Sequence, residues 1–238
     1  MGQNCERFIG MCLESCKDAD AIVYCDGGST DKTKSIVMEY LDEKGIVGDN
    51  WKCIQQEYNQ EDPKMNGKQR NFYLKYLKEN YKDWYCLVLD ADEVLEDVGI
   101  QKIRAIMMTE GVPNILSPRI HHFIGDLGHE DATQQEHFVF NRLFKITKDL
   151  FYPEVEHPVL HTKNNVSLKV NWVSIWHLRE CLGVLETNKK FENNLKKSNM
   201  HSEKQLRQWN RDMLLGNYPR KRVHYDQLPT PTKKRFNI

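Results

Sequence analysis

The chain has 238 residues, enough for one sizeable core with an appendage. Its 34 basic and 34 acidic side chains cancel, so no global field recommends a nucleic-acid or lipid partner. Seven scattered cysteines, odd in number and without a CxxC pair, favour reduced thiols over a disulfide framework or a zinc site, and no apolar run approaches the roughly 20 residues of a membrane span.

The N-terminus, MGQNCERFIG, has no signal-peptide core, so the expected setting is cytoplasmic, soluble or peripheral at a membrane. Residues 6 to 17 place Phe8, Ile9, Cys12, Leu13 and Cys16 at helical spacing. AIVYC then reads as a short strand that stops at DGGSTDKT, where two glycines and capping residues turn the chain into a helix from Asp31 to about Lys44. A strand at WKCIQQ, a polar loop through Asp62, Pro63 and Gly67, and a helix over KQRNFYLKYLKEN follow. YCLVLDADEVL reads as a strand buried on both faces. Strands alternating with helices predict an α/β fold, a mostly parallel Rossmann-like sheet with helices on both faces.

Beyond Asp97 the pattern changes: a helix near 99 to 109, a strand at NILSPRIHHF, a polar loop GDLGHEDATQQEH, and strand-like HFVFNRLFKI and VSLKVNWVSIWH. These predict an antiparallel extension. Residues 185 to 215 are helical in pattern with sparse apolar contacts, and the last residues, with Pro219, Pro229 and Pro231, are expected to form no regular element. Division therefore falls at 1–180 for the main domain, halved into 1–97 and 98–180, and at 181–238 for a helical extension with a basic tail. Residues 216 to 238 carry six basic residues against one acidic, which reads as a solvated tail or as a contact with anionic lipid or a charged substrate.

Ligands of a doubly wound sheet gather beyond the carboxyl ends of its parallel strands, where both DGGSTD and DAD fall. Asp90, Asp92 and Glu93 at the end of an apolar strand repel one another unless a cation or hydrogen-bond donors compensate, and oxygen ligands suit Mg²⁺ or Mn²⁺. The plainer alternative has Asp90 capping a turn, with Asp92 and Glu93 solvated.

Together NCERFIGMCLESC, AIVYCDGGSTDKT, MNGKQRNFYLKYL and WYCLVLDADEVL resemble the family 2 glycosyltransferases, in the family's order and spacing over about the first 97 residues. FNRLFKITKDLFYPEVEHPVL is similar to a segment of the lipopolysaccharide-core and related bacterial-type transferases, with Glu156 and His157 in the reverse of the usual order. The resemblance implies a GT-A fold, a nucleotide-sugar donor (a UDP-sugar first), a Mn²⁺ or Mg²⁺ ion, and transfer with inversion to a hydroxyl of a glycan or glycolipid. It implies that Asp26, Gly28, Ser29 and Asp31 form the nucleoside side, that Lys68 and Arg70 meet the diphosphate, and that Asp90 faces the ribose or a metal-bound water. Asp92 would bind the cation, His177 would support the metal or phosphate side, and Glu156 or His157 would serve as base, with Glu130 and Asp131 behind them. Arg142 reads as an acceptor or phosphate contact, or as a structural ion pair. His121 and His122 straddle a strand, so at most one can face the crevice.

Members of the family begin with an apolar strand ahead of the Asn and Glu equivalent to Asn4 and Glu6, and this sequence starts after it. Two other functions stay open: a catalytically silent nucleotide- or glycan-binding module of the same fold, and sugar-phosphate nucleotidyl transfer, which usually needs a glycine-rich basic loop that is missing here.

Overall fold

The computed structural model describes residues 1–43, 50–59, 61–132, 140–155, 157–163, 166–178, 181, 203–214 and 217–238. Helix α1 (Ile9–Ser15) buries Ile9, Met11, Cys12 and Leu13, the face its spacing predicts. Strand β1 (Ile22–Asp26) leads through the glycine turn into α2 (Thr33–Glu43) and then β2 (Trp51–Gln55), which pairs with β1 in parallel, Val23 opposite Lys52. Ile9 and Leu13 pack with Tyr24, Val37 and Leu41, so α1 and α2 share one side of β1. Helix α3 (Met65–Asn80) lays Tyr73, Leu74 and Leu77 against Cys25, Val88, Phe144 and Ile146.

The acidic stretch is not one strand. It divides into β3 (Tyr85–Leu87) and β4 (Glu93–Leu95), with a turn between them that the Glu93 amide closes by donating to the Asp90 carbonyl at 2.9 Å. The division has a cause in pairing. β3 runs antiparallel to β7 (Leu143–Lys145), whereas β4 runs antiparallel to β8 (Leu168–His177), so the chain changes neighbours at the aspartates. Helix α4 (Gly99–Met107) follows and packs Ile103 and Ile106 on Leu116, Val173 and Ile175.

Strand β5 (Ile115–Ile124) is the hub, paired with β7 and with β6 (Asp126–Asp131) antiparallel and with β8 in parallel. The polar run after Gly125, expected as loop, is a strand over 126–131, because β9 (Arg220–Arg222) covers its far edge with Glu130 opposite Lys221. Helices α5 (Glu203–Leu214) and α6 (Thr230–Phe236) complete a mixed α/β architecture of nine strands and six helices among the described residues. The strands form a two-stranded sheet, β1–β2, and a seven-stranded sheet.

The carboxyl end departs from expectation as well. Residues 220 to 236 hold β9, a 3-10 turn and α6, and bury Val223, Leu228 and Thr232. Residues 182–202, most of the expected helical hairpin, lie outside the described residues. No described helix is long and apolar enough to cross a membrane.

Candidate active site

The first loop is built by Asp26, which the strand pattern delivers buried at the end of β1, 1% exposed. One carboxylate oxygen accepts from the amides of Gly28 and Ser29, both at 2.9 Å, and the other from the Ser29 hydroxyl at 2.7 Å. That curl needs Gly28 at φ +84°, a left-handed conformation open to glycine. The Asn4–Glu6 segment ties the loop down from outside. Asn4 Oδ1 accepts from the Thr30 amide at 2.8 Å, the Glu6 carboxylate accepts from the Lys32 amide at 3.0 Å, and Asp31 accepts from the amides of Thr33 and Glu6. Asp26, Gly28, Ser29 and Asp31 thus form one rigid turn, with Asp26 holding the loop's own donors.

Two backbone residues join this loop to the second. Gly2 bridges Asp26 in parallel fashion, its amide donating to the Cys25 carbonyl and its carbonyl accepting from Gly27 at 2.8 Å. On the other side the Met1 ammonium donates to the Leu89 carbonyl at 2.9 Å and the Met1 carbonyl accepts from the Ala91 amide at 2.7 Å. Asp26 and Asp90 therefore stand at matching ends, separated by the width of one extended segment.

Around the second loop lies a buried ion network. Asp90 accepts from Arg70 Nη2 at 3.1 and 3.2 Å and from Arg142 Nη2 at 2.8 Å, and Arg142 Nη2 also reaches Glu93 at 2.9 Å. Burial alone would raise the Asp90 pKa, but the guanidiniums of Arg142 and Arg70 hold it well below the usual carboxylate range. Burial wins at Glu93, raising its pKa although Arg142 opposes. Arg70 Nε and Arg142 Nη1 are buried without a hydrogen-bond partner among the described residues, so each cation keeps an N–H that the carboxylates do not use. Tyr152 lies under Arg70, its ring centre 5.7 Å from the guanidinium carbon, and its hydroxyl is 3.1 Å from that of Tyr73.

Asp92, 6% exposed, lies beside a histidine. Pairing of β4 with β8 sets Glu93 opposite His177, which brings His177 Nε2 to 3.6 Å from Asp92 Oδ1. The parallel register of β5 and β8 sets His122 opposite His177, with their Nδ1 atoms 3.3 Å apart. His121 turns to the other side of β5, contacts Glu130 and stacks on Trp176 at 4.0 Å, so one histidine of the pair faces the aspartates, as strand alternation requires.

Residues 3–163 match the family model described as glycosyl transferase family 2. The chain belongs to this family. A search of curated proteins found no match.

Membership makes the chain a glycosyltransferase with a GT-A-type, Rossmann-like fold, and implies binding of a nucleotide-sugar donor and an acceptor. The structure brings Arg70, Asp90, Asp92, Arg142 and His177 into one neighbourhood. It does not bring Lys68 there. Lys68 and Arg70 are two residues apart within α3, which turns them to different faces, and Lys68 pairs with Asp62 at 2.7 Å on the surface. Arg142 is the ion pair that the sequence left open as one of two roles.

Glu156 lies outside the described residues, while His157 is exposed, shortly after the loop at Pro153 and Glu154. That loop rests on the start of α3: a Cβ on Gly67 would stand 2.4 Å from the Pro153 carbonyl oxygen. Glu130 and Asp131 are buried in β6, Glu130 against His121 and Asp131 accepting from the Tyr218 hydroxyl at 3.2 Å, so both have structural work. Sequence reasoning missed Tyr73 and Tyr152. Their only signal was a tyrosine next to the Pro-Glu segment, and their contact spans 79 residues.

Proposed function

We propose that this family 2 glycosyltransferase moves a sugar from a nucleotide-sugar, a UDP-sugar first, to a hydroxyl of a glycan or glycolipid by direct displacement with inversion. The observation that carries the reading is the Met1–Gly2 bridge, which sets the Asp26 loop and the Asp90–Asp92 turn side by side at one edge. The nucleoside would lie against the Asp26–Asp31 loop. The diphosphate would take the spare N–H groups of Arg70 and Arg142, whose planar guanidiniums suit phosphate oxygens.

Among the described residues no three His, Cys, Asp or Glu side chains are arranged to hold a metal ion. Asp92 and His177 offer two ligands, one oxygen and one nitrogen, and a cation bound mainly through substrate phosphates needs no more from the protein. The mixed pair suits Mn²⁺ better than Mg²⁺, which prefers oxygen alone. Such an ion would neutralise charge on the departing nucleoside diphosphate. The protein's own part is to place Asp92 through the β4–β8 register, to hold Asp90 ionised between two arginines, and to keep the leaving group in line. As the acceptor oxygen bonds to the anomeric carbon, the bond from that carbon to the phosphate oxygen breaks and the acceptor proton passes to a base. Glu156 or His157 would take it.

Thermal-shift titration with UDP, GDP and CMP, each with and without Mn²⁺, tests the reading on the wild type and Asp92→Ala. At a hundredfold excess over Kd a ligand of the native state adds about 2.7 kcal/mol, several degrees for a domain of this size. The expected outcome is a UDP shift that needs both Mn²⁺ and Asp92. No shift with any nucleotide, in a sample that melts cooperatively, would refute donor binding.

A further inference from the structure

The hydrogen bonds around Arg70 do not balance. Arginine only donates, so the contact of its Nη1 at 3.4 Å makes the Tyr73 hydroxyl an acceptor, and Tyr73 gives its own hydrogen to the Tyr152 hydroxyl at 3.1 Å. The two hydroxyls hold two hydrogens and share one bond, which leaves the Tyr152 hydrogen without an acceptor among the described residues. Arg70 Nε and Arg142 Nη1 are in the same condition. Tyr152 is 4% exposed, and its ring centre lies 5.7 Å from the Arg70 guanidinium carbon. Burial raises its pKa and keeps the hydroxyl protonated, while Arg70, the bond from Tyr73 and Arg142 oppose, so both cations act on this one side chain. An excess of buried donors over acceptors calls for an anion with several oxygens.

The place of Tyr152 is fixed independently of that excess. Asn71 bonds both its carbonyl and its amide, at 2.8 and 2.9 Å, and its ring meets Tyr73 edge to face with centres 6.1 Å apart. Phenylalanine at both positions would fill the same space with no hydroxyl to satisfy, so packing alone does not account for the tyrosines. Tyr152 also directly precedes the loop at Pro153 and Glu154. In a donor whose nucleoside lies against the Asp26 loop, the phosphate on that side is the distal one, which carries the bond to the sugar.

We propose that Tyr152 contacts the substrate: its hydroxyl donates to an oxygen of the distal phosphate, beside the N–H groups of Arg70 and Arg142, and so selects a nucleoside diphosphate over the monophosphate. The assignment rests on the donor-binding reading above and adds to it a residue from the second half of the chain. The bond strengthens as charge builds on that phosphate when the sugar leaves.

Calorimetric titration with UDP and with UMP, Mn²⁺ present throughout, tests the assignment on the wild type, Tyr152→Phe and Tyr73→Phe. The wild type should bind UDP the more tightly. Tyr152→Phe should weaken UDP by about tenfold or more, the usual loss for a hydrogen bond to a charged group, and leave UMP unchanged. Tyr73→Phe, which leaves the Tyr152 hydroxyl in place, should cost less. An unchanged ratio of UDP to UMP affinity in Tyr152→Phe overturns the assignment, and so does an equal loss for both ligands. An equal loss of UDP binding in Tyr73→Phe overturns it too, because the tyrosines would then act only by holding Arg70. A wild type that binds UDP no better than UMP removes the assignment and spares donor binding, whereas one that binds neither removes both. Should Tyr152→Phe melt far below the wild type, 3-fluorotyrosine placed at 152 gives the decision at neutral pH: its more acidic hydroxyl should tighten UDP and not UMP, and an unchanged ratio overturns the assignment.

Discussion

Arg142 joins the two halves of the sequence at a single side chain. Its guanidinium touches Asp90 at 2.8 Å and Glu93 at 2.9 Å and is 10% exposed, so removing it leaves the buried Glu93 without its cation while Asp90, partly exposed, keeps Arg70 alone. Arg142→Met should cost about 3–5 kcal/mol, the usual consequence of breaking a buried pair from one side, and Arg142→Lys should restore part of it; urea melts of the three proteins give the values. An unchanged midpoint for Arg142→Met would show that the network contributes no stability. His121 makes a second prediction, in pH. Burial first, then Arg119 and Lys221, lowers its pKa to about 3, although Glu130 and Ser174 also face it and Trp176 stacks on it. The unfolded chain protonates this histidine near pH 6.5 while the native one does not, so stability should fall as pH drops from about 6.5 to 3, by at most about 1.4 kcal/mol per pH unit. His121→Gln should flatten that slope. Asp90 acts only at lower pH: with its pKa depressed, its contribution persists above the usual carboxylate range and is lost as pH falls below it. Glu93, its pKa raised, has the opposite sign and weakens the fold as pH rises through that value.

Among the elements, α3 governs the loop that would supply the base. Asn71 donates to the Tyr152 carbonyl at 2.8 Å and accepts from the Tyr152 amide at 2.9 Å, clamping the chain just ahead of residues 153–157. Asn71→Ala leaves both of those backbone groups without their partner and should cost about 1–3 kcal/mol, with faster proteolytic cleavage at 153–157 as the local sign. Loss of stability with unchanged cleavage would mean that the clamp supports α3 and not the loop. None of this was legible beforehand, because the two partners are 81 residues apart. What was legible shares a local cause. α1, α3 and the strand ahead of the glycine turn announce themselves by hydrophobic pattern, and α2 by the capping residues of that turn, both short-range signals. The split of LVLDADEVL into β3 and β4 follows from a change of partner, from β7 to β8, and an apolar run reads the same whichever strand it pairs with. The expectation that DGGSTD and DAD meet needed only the rule that parallel strands present their carboxyl ends together. The convergence of Arg142, His177 and Tyr152 needed the registers.

On the scale of the whole molecule, the carboxyl-terminal segment is where composition misled most. Six basic residues and three prolines describe a solvated tail, and the two apolar residues that fix it, Val223 and Leu228, are too widely spaced to show a period. In the fold they join Phe8, Val94, Phe123 and Trp176 in one core cluster, so the last residues of the chain close over the first helix. β9 pairs along β6, Thr230 bonds Asp97 through both its amide and its hydroxyl at 2.8 Å, and the basic side chains of α6 fall in its last turn, where the helix dipole favours them. A chain ending at residue 216 would expose that cluster and leave β6 with a bare edge. Burying Val223 and Leu228 alone is worth about 3–6 kcal/mol at the usual transfer values, a large fraction of a domain's net stability. Truncation should therefore lower Tm by roughly 6–24 °C, or abolish cooperative melting, as followed by circular dichroism. Replacing Lys233, Lys234 and Arg235 together by glutamine removes charge and spares the packing, and should shift Tm by only a degree or two. If the charge variant melted as low as the truncation, electrostatics and not burial would hold the segment in place.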